Sequence, residues 1–156
     1  MQSVPLLLRA VKPKTTDFEP QTLGEHVKRR RLVLKLSQKQ AGGNLGVTPW
    51  TIHHWESAKT QPPIESIPAV LRFLGYDPFP EPGSIPDKLL AKRRVMGWSI
   101  KEAARELGVD PGTWGDWERG KVILYRAHRA LVARLVGLPE GEVDRIMAVS
   151  WVRSHK

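Results

Sequence analysis

The stretch Ser37–Glu56, SQKQAGGNLGVTPWTIHHWE, decides the fold because it carries the start and stop signals of two short helices. Ser37 and Gln40, three residues apart, form a capping box, which predicts the start of the first helix. Gly46 lies where a helix end favours a left-handed residue. Thr48 followed by Pro49 predicts the start of the second helix. We therefore expect two short helices joined by a tight turn.

The same signals return 62 positions later, in SIKEAARELGVDPGTWGDWE. Residues 23–76 align with 85–138 without a gap, and both copies keep the strings LGV and WE, which indicates an internal repeat. The alignment predicts an arm (1–21), a first domain (22–76), a linker (77–84), a second domain (85–138) and a C-terminal helix or tail (139–156). Because the linker DPFPEPGS is rich in proline, we expect it to be extended and semi-rigid.

Further helices are indicated on either side of this pair. Thr22 and Glu25 form another capping box, and the helix that they start is expected to bury Leu23, Val27, Arg31 and Leu34. Residues 64–74 and 126–136 are each followed by glycine and are predicted as helices, the first with Val70, Leu71 and Leu74 inward. Since no segment alternates as a strand would, the predicted fold class is all-α, with two small helical bundles joined by a Pro-rich linker.

Composition narrows the function classes. The 156 residues carry a formal net charge of +9 and include no cysteine, so a thiolate zinc site and a thiol nucleophile are excluded. Residues 1–76 hold 11 Lys and Arg against 5 Asp and Glu. A balance this basic favours a polyanionic partner, most often nucleic acid, although simple solubility is the alternative. No apolar run is long enough for a membrane span, so we expect a cytoplasmic, nucleoid-associated protein without membrane contact.

No pattern supports catalysis, a cofactor or a metal. The chain has no glycine-rich phosphate loop and no Ser/His/Asp arrangement. His53 and His54 are adjacent, so on a helix they point about 100° apart, and no third ligand lies at a suitable spacing. We expect neither enzymatic activity nor a cofactor nor a metal site.

Two segments, LGEHVKRRRLVLKLSQKQAGGNLGVTPWTIHHWESAK and IPDKLLAKRRVMGWSIKEAARELGVDPGTWGDWERGK, resemble the phage-repressor (Cro/Xre-type) helix-turn-helix family. The resemblance implies two lambda-repressor-like bundles that bind double-stranded DNA, with residues 49–57 in the major groove, and a role in transcription regulation. It also implies structural ion pairs of Arg31 with Glu56 and of Arg93 with Glu118.

The family reads base edges with the second helix of the motif and holds phosphates around it. Carried over to the first repeat, this implies DNA contacts at Gln38, Lys39, Thr48, Pro49, Trp50, Thr51, His53, His54 and Lys59. Secondary contacts in the second repeat would come from Lys101, Thr113, Asp116, Arg119 and Lys121. There, Gly112 and Gly115 are two small residues on one face, and they permit a close backbone approach by DNA or by protein.

Several alternatives stay open at this point. Trp50 is expected either to meet DNA or to cover the linker or arm. The second repeat's glycine face favours, as an alternative, a protein-interaction role of the anti-activator or antitoxin type. An architectural or excision factor of a mobile element is a variant within the DNA-binding class. The partner is then double-stranded DNA, with a homodimer or a protein partner as further options through the second repeat or the C-terminal helix.

Overall fold

A computed structural model describes residues 16–121, 124–139 and 141–146, and all the regular structure in these ranges is helical, which confirms the all-α class. The helices are α1 (Leu23–Val33), α2 (Gln38–Leu45), α3 (Pro49–Glu56), α4 (Ile67–Leu74), α5 (Ile85–Met96), α6 (Ile100–Leu107), α7 (Pro111–Glu118) and α8 (Arg126–Val136). A short 3₁₀ turn, Ile64–Ser66, precedes α4, and residues 142–146 are helical.

The helices begin at the predicted caps. The Ser37 hydroxyl accepts a hydrogen bond from the Gln40 amide, and the Gln40 side chain accepts one from the Ser37 amide. The boxes at Thr22 and Ser99 are formed in the same way. One further box was missed, since Ser84 and Asp87 start α5 at the end of the predicted linker. The signal was present in the sequence as Ser84, Pro86 and Asp87, because proline in the first turn and an acid three residues after the cap both favour a helix start.

Contacts divide the chain into two compact units, residues 1–61 and 62–156. In the first unit α3 packs on α1 and α2, around the buried side chains of Val27, Ala41, Leu45, Ile52 and Trp55. α1 crosses α3 at Gly24, where a Cβ would lie 1.8 Å from the carbonyl oxygen of Trp55. The predicted inward position of Leu34 is wrong, because this residue lies at the C-cap of α1 and is 42% exposed.

In the second unit α5 is the central element, since α4, α7 and α8 all pack against it. The core contains two tryptophans, Trp114 and Trp117, and eight other buried side chains or small residues: Ile85, Leu89, Ala103, Ala104, Leu124, Val132, Ala133 and Val143. Because Val143 belongs to this core and the guanidinium of Arg129 pairs with Asp144, residues 141–146 pack on the second unit. The remainder of the predicted C-terminal helix (147–156) and residues 1–15 of the arm lie outside the described residues.

The division at 61/62 differs from the predicted domain boundary at 76/77. Val70 and Leu74 are buried as expected and Leu71 is half-buried, but α4 packs on α5, where Pro68 meets Gly97 so closely that a Cβ there would lie 2.8 Å from the proline Cγ. The following Pro-rich segment also lies on α5, with the Phe79 ring 4.0 Å from the guanidinium carbon of Arg94. The segment that was expected to be an extended, semi-rigid linker therefore contacts α5 through Phe79.

The ends of α1 and α3 contain a strain that the second unit avoids. Lys35 and Ala58 both have φ of 56°, in the left-handed region, whereas the residues 62 positions later are Gly97 and Gly120. We expect the substitution Ala58→Gly to stabilise the first unit by about 0.5–1 kcal/mol, because glycine adopts this conformation without the Cβ clash. Thermal unfolding measures the effect. Gly46→Ala, at a left-handed cap that already has glycine, should lower stability, and a destabilised Ala58→Gly variant would contradict the argument.

Candidate nucleic-acid interface

The α2–α3 pair has the geometry of a tight helix-turn-helix. Gly46 ends α2 at φ 70°, and the Val47 amide donates to the carbonyl oxygen of Gly42 at 2.9 Å. Gly42 permits this turn, because a Cβ at that position would lie 2.6 Å from the carbonyl oxygen of Val47. Thr48 then caps α3 through its hydroxyl, which accepts from the Thr51 amide. The turn therefore fixes the direction in which α3 leaves α2.

A buried ion pair fixes the other end of α3. Arg31 donates from Nε and Nη2 to the two carboxylate oxygens of Glu56, at 2.6 and 2.8 Å, and from Nη1 to the carbonyl of Leu36. The hydrogen bond with Glu56 raises the pKa of Arg31. The amide of Gln38 adds a third donor, from Nε2 to Glu56 at 3.0 Å. This network joins α1, α2 and the last residue of α3, and it forms the ion pair that the family resemblance implied.

The outer face of α3 presents the side chains that were expected to meet DNA. Thr48, Pro49, Trp50 and His53 are exposed, and Thr51 and His54 are half-buried. The hydroxyl oxygens of Thr48 and Thr51 lie 2.8 Å apart and are hydrogen-bonded to each other. Since this bond uses only one of the two hydroxyl protons, the face still offers a hydroxyl donor beside the imidazoles and the indole N–H.

Trp50 and His54 are stacked on this face. Their ring centroids lie 3.6 Å apart at an interplanar angle of 32°, and the Trp50 residue is 67% exposed. Desolvation lowers the pKa of His54, and the electrostatic effects of the neighbouring Lys59 and His53 lower it further. The surroundings of His54 thus disfavour its charged form, and its ring is held against an indole.

The predicted phosphate contacts lie around α3. Lys39 is exposed in the first turn of α2, and Lys59 is exposed just after α3, with its amide bonded to the carbonyl of His54. Gln38 is placed differently from the expectation of a free phosphate ligand, since one N–H of its amide group is already bonded to Glu56. Two residues of the basic run 28–31 on α1 also have partners within the protein. The Lys28 amine lies 5.7 Å from the centroid of the Phe18 ring, and the Arg29 guanidinium lies 3.9 Å from the Glu19 carboxylate.

On the corresponding face of α7, both glycines lie close to polar groups of their own helix and its cap. Gly112 donates its amide to the Asp110 carboxylate at 2.7 Å, and a Cβ there would lie 2.9 Å from the same oxygen. Gly115 is buried beneath the guanidinium of Arg119, which a Cβ would approach to 3.1 Å. Asp116 holds that guanidinium at 2.7 Å. Both glycines are thus explained by contacts within the helix and its cap.

The other secondary candidates are scattered by comparison. Lys101 and Lys121 are exposed and Thr113 is half-buried. Since Asp116 and Arg119 neutralise each other, the α7 face carries less free positive charge than its sequence suggests. The structure brings the first-repeat candidates together on and around α3 and leaves those of the second repeat partly paired with one another.

The second ion pair, Arg93 with Glu118, has the same geometry as the first, with donors at 2.6 and 2.9 Å. Its third donor comes from a different helix. Ile100 occupies the position that Gln38 has in the first unit and has no side-chain donor, while Trp114 of α7 donates from its indole Nε1 to Glu118 at 2.7 Å. Trp114 lies 62 positions after Ile52 of the first unit, and the sequence analysis did not predict this bond. The exchange of Gln38 for Ile100 was the available signal.

Within the part of the chain that the structure describes, no group of three or more His, Asp or Glu side chains is arranged to hold a metal ion. Over the same residues, no helix is both long and apolar enough to cross a lipid bilayer.

Comparison with known protein families agrees with the helix-turn-helix geometry of the α2–α3 pair. Residues 27–79 match the family model described as helix-turn-helix, of the Cro/C1 type. This stretch contains α2, the tight turn and α3. The match to this family supports a function in sequence-specific DNA binding and transcription regulation. The family is a DNA-binding regulator domain and not an enzyme family. No curated protein and no solved structure matches the chain significantly. The second repeat stays a prediction.

Proposed function

We propose that the protein is a transcription regulator that binds a specific site in double-stranded DNA through the first helix-turn-helix, with α3 in the major groove. The observation that carries the proposal is the family match to residues 27–79, on the stretch where α3 is anchored at both ends and presents free imidazole and indole groups outward. A helix that is held at both ends presents its side chains in a fixed geometry, and the sequence-specific reading of base edges requires such a geometry.

The contacts divide into two kinds. Trp50, His53 and His54 would meet base edges, because an imidazole N–H can donate to guanine N7 or O6 and an indole can lie against a thymine methyl. Lys39 and Lys59 would hold phosphates on either side of the reading helix, and the net charge of +9 would favour association with DNA. Thr48, Pro49 and Thr51 would lie against the DNA at the start of α3, and Gln38 would reach a phosphate with its remaining N–H.

The two units are not equal in this proposal. α7 carries Asp110 and Asp116 at its face, and the Arg119 charge there is already paired. Carboxylates near a phosphate backbone are repelled, so the second unit would contribute little to affinity. Its candidates Lys101, Thr113 and Lys121 would make at most peripheral contacts.

We expect Lys39→Ala to weaken binding to all DNA sequences and to reduce the salt dependence of the association constant by about one unit of slope, because one phosphate contact is lost. His54→Ala should instead relax the preference at one base pair, at a cost of about 1–3 kcal/mol for the preferred sequence. The measurement is a binding-site selection with the full chain, followed by fluorescence anisotropy over a range of salt concentrations.

The chain offers a matched control, Lys101→Ala, which lies 62 positions after Lys39 at the same point of α6. It should leave affinity and salt slope close to those of the unmodified protein. If Lys39→Ala has no effect, the placement of the first unit on DNA is wrong. If Lys101→Ala weakens binding as much as Lys39→Ala, both units contact the backbone.

A further inference from the structure

The Trp50–His54 stack has a consequence for how DNA binding depends on protons. The imidazole lies against the indole with 3.6 Å between ring centroids, and His53 stands edge-on to His54 with 5.9 Å between theirs. An exposed imidazole would normally sample several rotamers. Here the indole removes that freedom, so the ring nitrogens of His54 keep a fixed direction relative to α3.

We propose that Trp50 and His54 form one reading element, in which the indole positions the imidazole, and that DNA binding takes up a proton on that imidazole. This inference rests on the proposed function, because it concerns the same face of α3. Trp50 is a positioning residue in this scheme, and His54 is the group that meets the DNA.

The charged groups around His54 determine whether DNA binding raises or lowers the pKa of its imidazole. In the free protein, desolvation first and then the neighbouring Lys59 and His53 lower the pKa of His54. Of the helices packed on α3, α2 carries one charged residue, Lys39, which is also positive, and Arg31 of α1 is neutralised by Glu56. The free protein therefore disfavours the imidazolium.

Bound DNA reverses this balance. Phosphates surround the reading helix with negative charge, and an imidazolium can donate one ring N–H to guanine N7 or O6 while its charge is attracted to those phosphates. The pKa of His54 is then higher in the complex than in the free protein. Affinity must therefore rise as the pH falls through the pKa of the complex, and it must level off below the pKa of the free protein.

The experiment measures the dissociation constant of the full chain for its selected DNA site between pH 8 and pH 6 at constant ionic strength. Duplex DNA does not titrate in this range. Binding should tighten about tenfold, which is the effect of one pKa unit. His54→Gln should reduce this change to less than about twofold, while His26→Gln, a control on α1, should keep it. A flat profile for the unmodified protein, or a His54→Gln profile as steep as the unmodified one, overturns the inference.

The positioning role is tested on the free protein. The ring current of Trp50 should shift the His54 ring protons upfield in NMR spectra. Trp50→Leu should remove the shift and flatten the pH dependence of binding, and Trp50→Phe should restore most of both. An unchanged His54 resonance in Trp50→Leu overturns the stack. If the unmodified protein selects no DNA site at any pH, the proposed function itself fails, whereas specific binding with a flat pH profile rejects this inference alone.

Discussion

Replacing Glu56 by alanine is expected to destabilise the first unit by about 3–5 kcal/mol, because it leaves a buried guanidinium without its counter-charge. The side chains of Arg31 and Glu56 are only 12% and 4% exposed. Three donors converge on this carboxylate, from Arg31 and Gln38, and the two that come from Arg31 are largely shielded from water. A loss of this size is a large part of the stability of a unit of about 60 residues.

Denaturant unfolding, followed by amide resonances of each unit, measures the effect. The exposed pair of Arg29 with Glu19 supplies a control, since Glu19→Ala should cost less than about 0.5 kcal/mol. The double substitution Arg31→Met with Glu56→Met should recover much of the loss, because two apolar side chains leave no unpaired charge. Equal effects of Glu19→Ala and Glu56→Ala would show that the buried pair contributes no more than a surface one.

Trp114→Phe is expected to destabilise the second unit by about 2–3 kcal/mol, because it removes packing volume and a hydrogen bond to a charged group. The side chain is fully buried, and its indole N–H is the third donor to Glu118. Adding Ile100→Gln should recover about 1 kcal/mol, because it introduces the amide that Gln38 supplies in the first unit.

Trp117→Phe is the matched control for this prediction. Trp117 is buried in the same core, but among the described residues its indole N–H has no hydrogen-bond partner. Its removal should therefore cost less than that of Trp114, although both changes delete the same atoms. Thermal and urea unfolding compare the variants. If Ile100→Gln recovers no stability in the Trp114→Phe background, the exchange of hydrogen-bond donors does not explain why the two units differ at these positions.

The fold was largely predictable because its signals are local. Ser37, Gly46 and Thr48 each satisfy or terminate backbone hydrogen bonds within a few residues, so their pattern can be read along the chain. The partner of α4 was not predictable in this way. An amphipathic helix with Val70 and Leu74 inward can bury that face on any apolar neighbour, and the sequence does not say that α5 is one of them.

The side chains on the outer face of α3 were predictable from the sequence, and the contacts among them were not. Helical spacing places Trp50, His53 and His54 outward, but the stack and the pKa of His54 depend on rotamers. The contacts of the α7 glycines were not predictable for a related reason. A glycine in a sequence shows only that a side chain is missing, and the guanidinium of Arg119 that fills the space comes from four residues away.

The third hydrogen-bond donor differs between Glu56, which is bonded by Gln38, and Glu118, which is bonded by Trp114. This difference limits which helices of the two units can be exchanged. A chimera with α7 in place of α3 would place an indole N–H beside the Gln38 amide, and both would compete for one carboxylate in a core built around Ile52. The reverse chimera would leave Glu118 with Arg93 alone, since neither Ile100 nor Ile52 can donate. A change of DNA specificity by helix grafting therefore has to move the two helices of the turn as a pair.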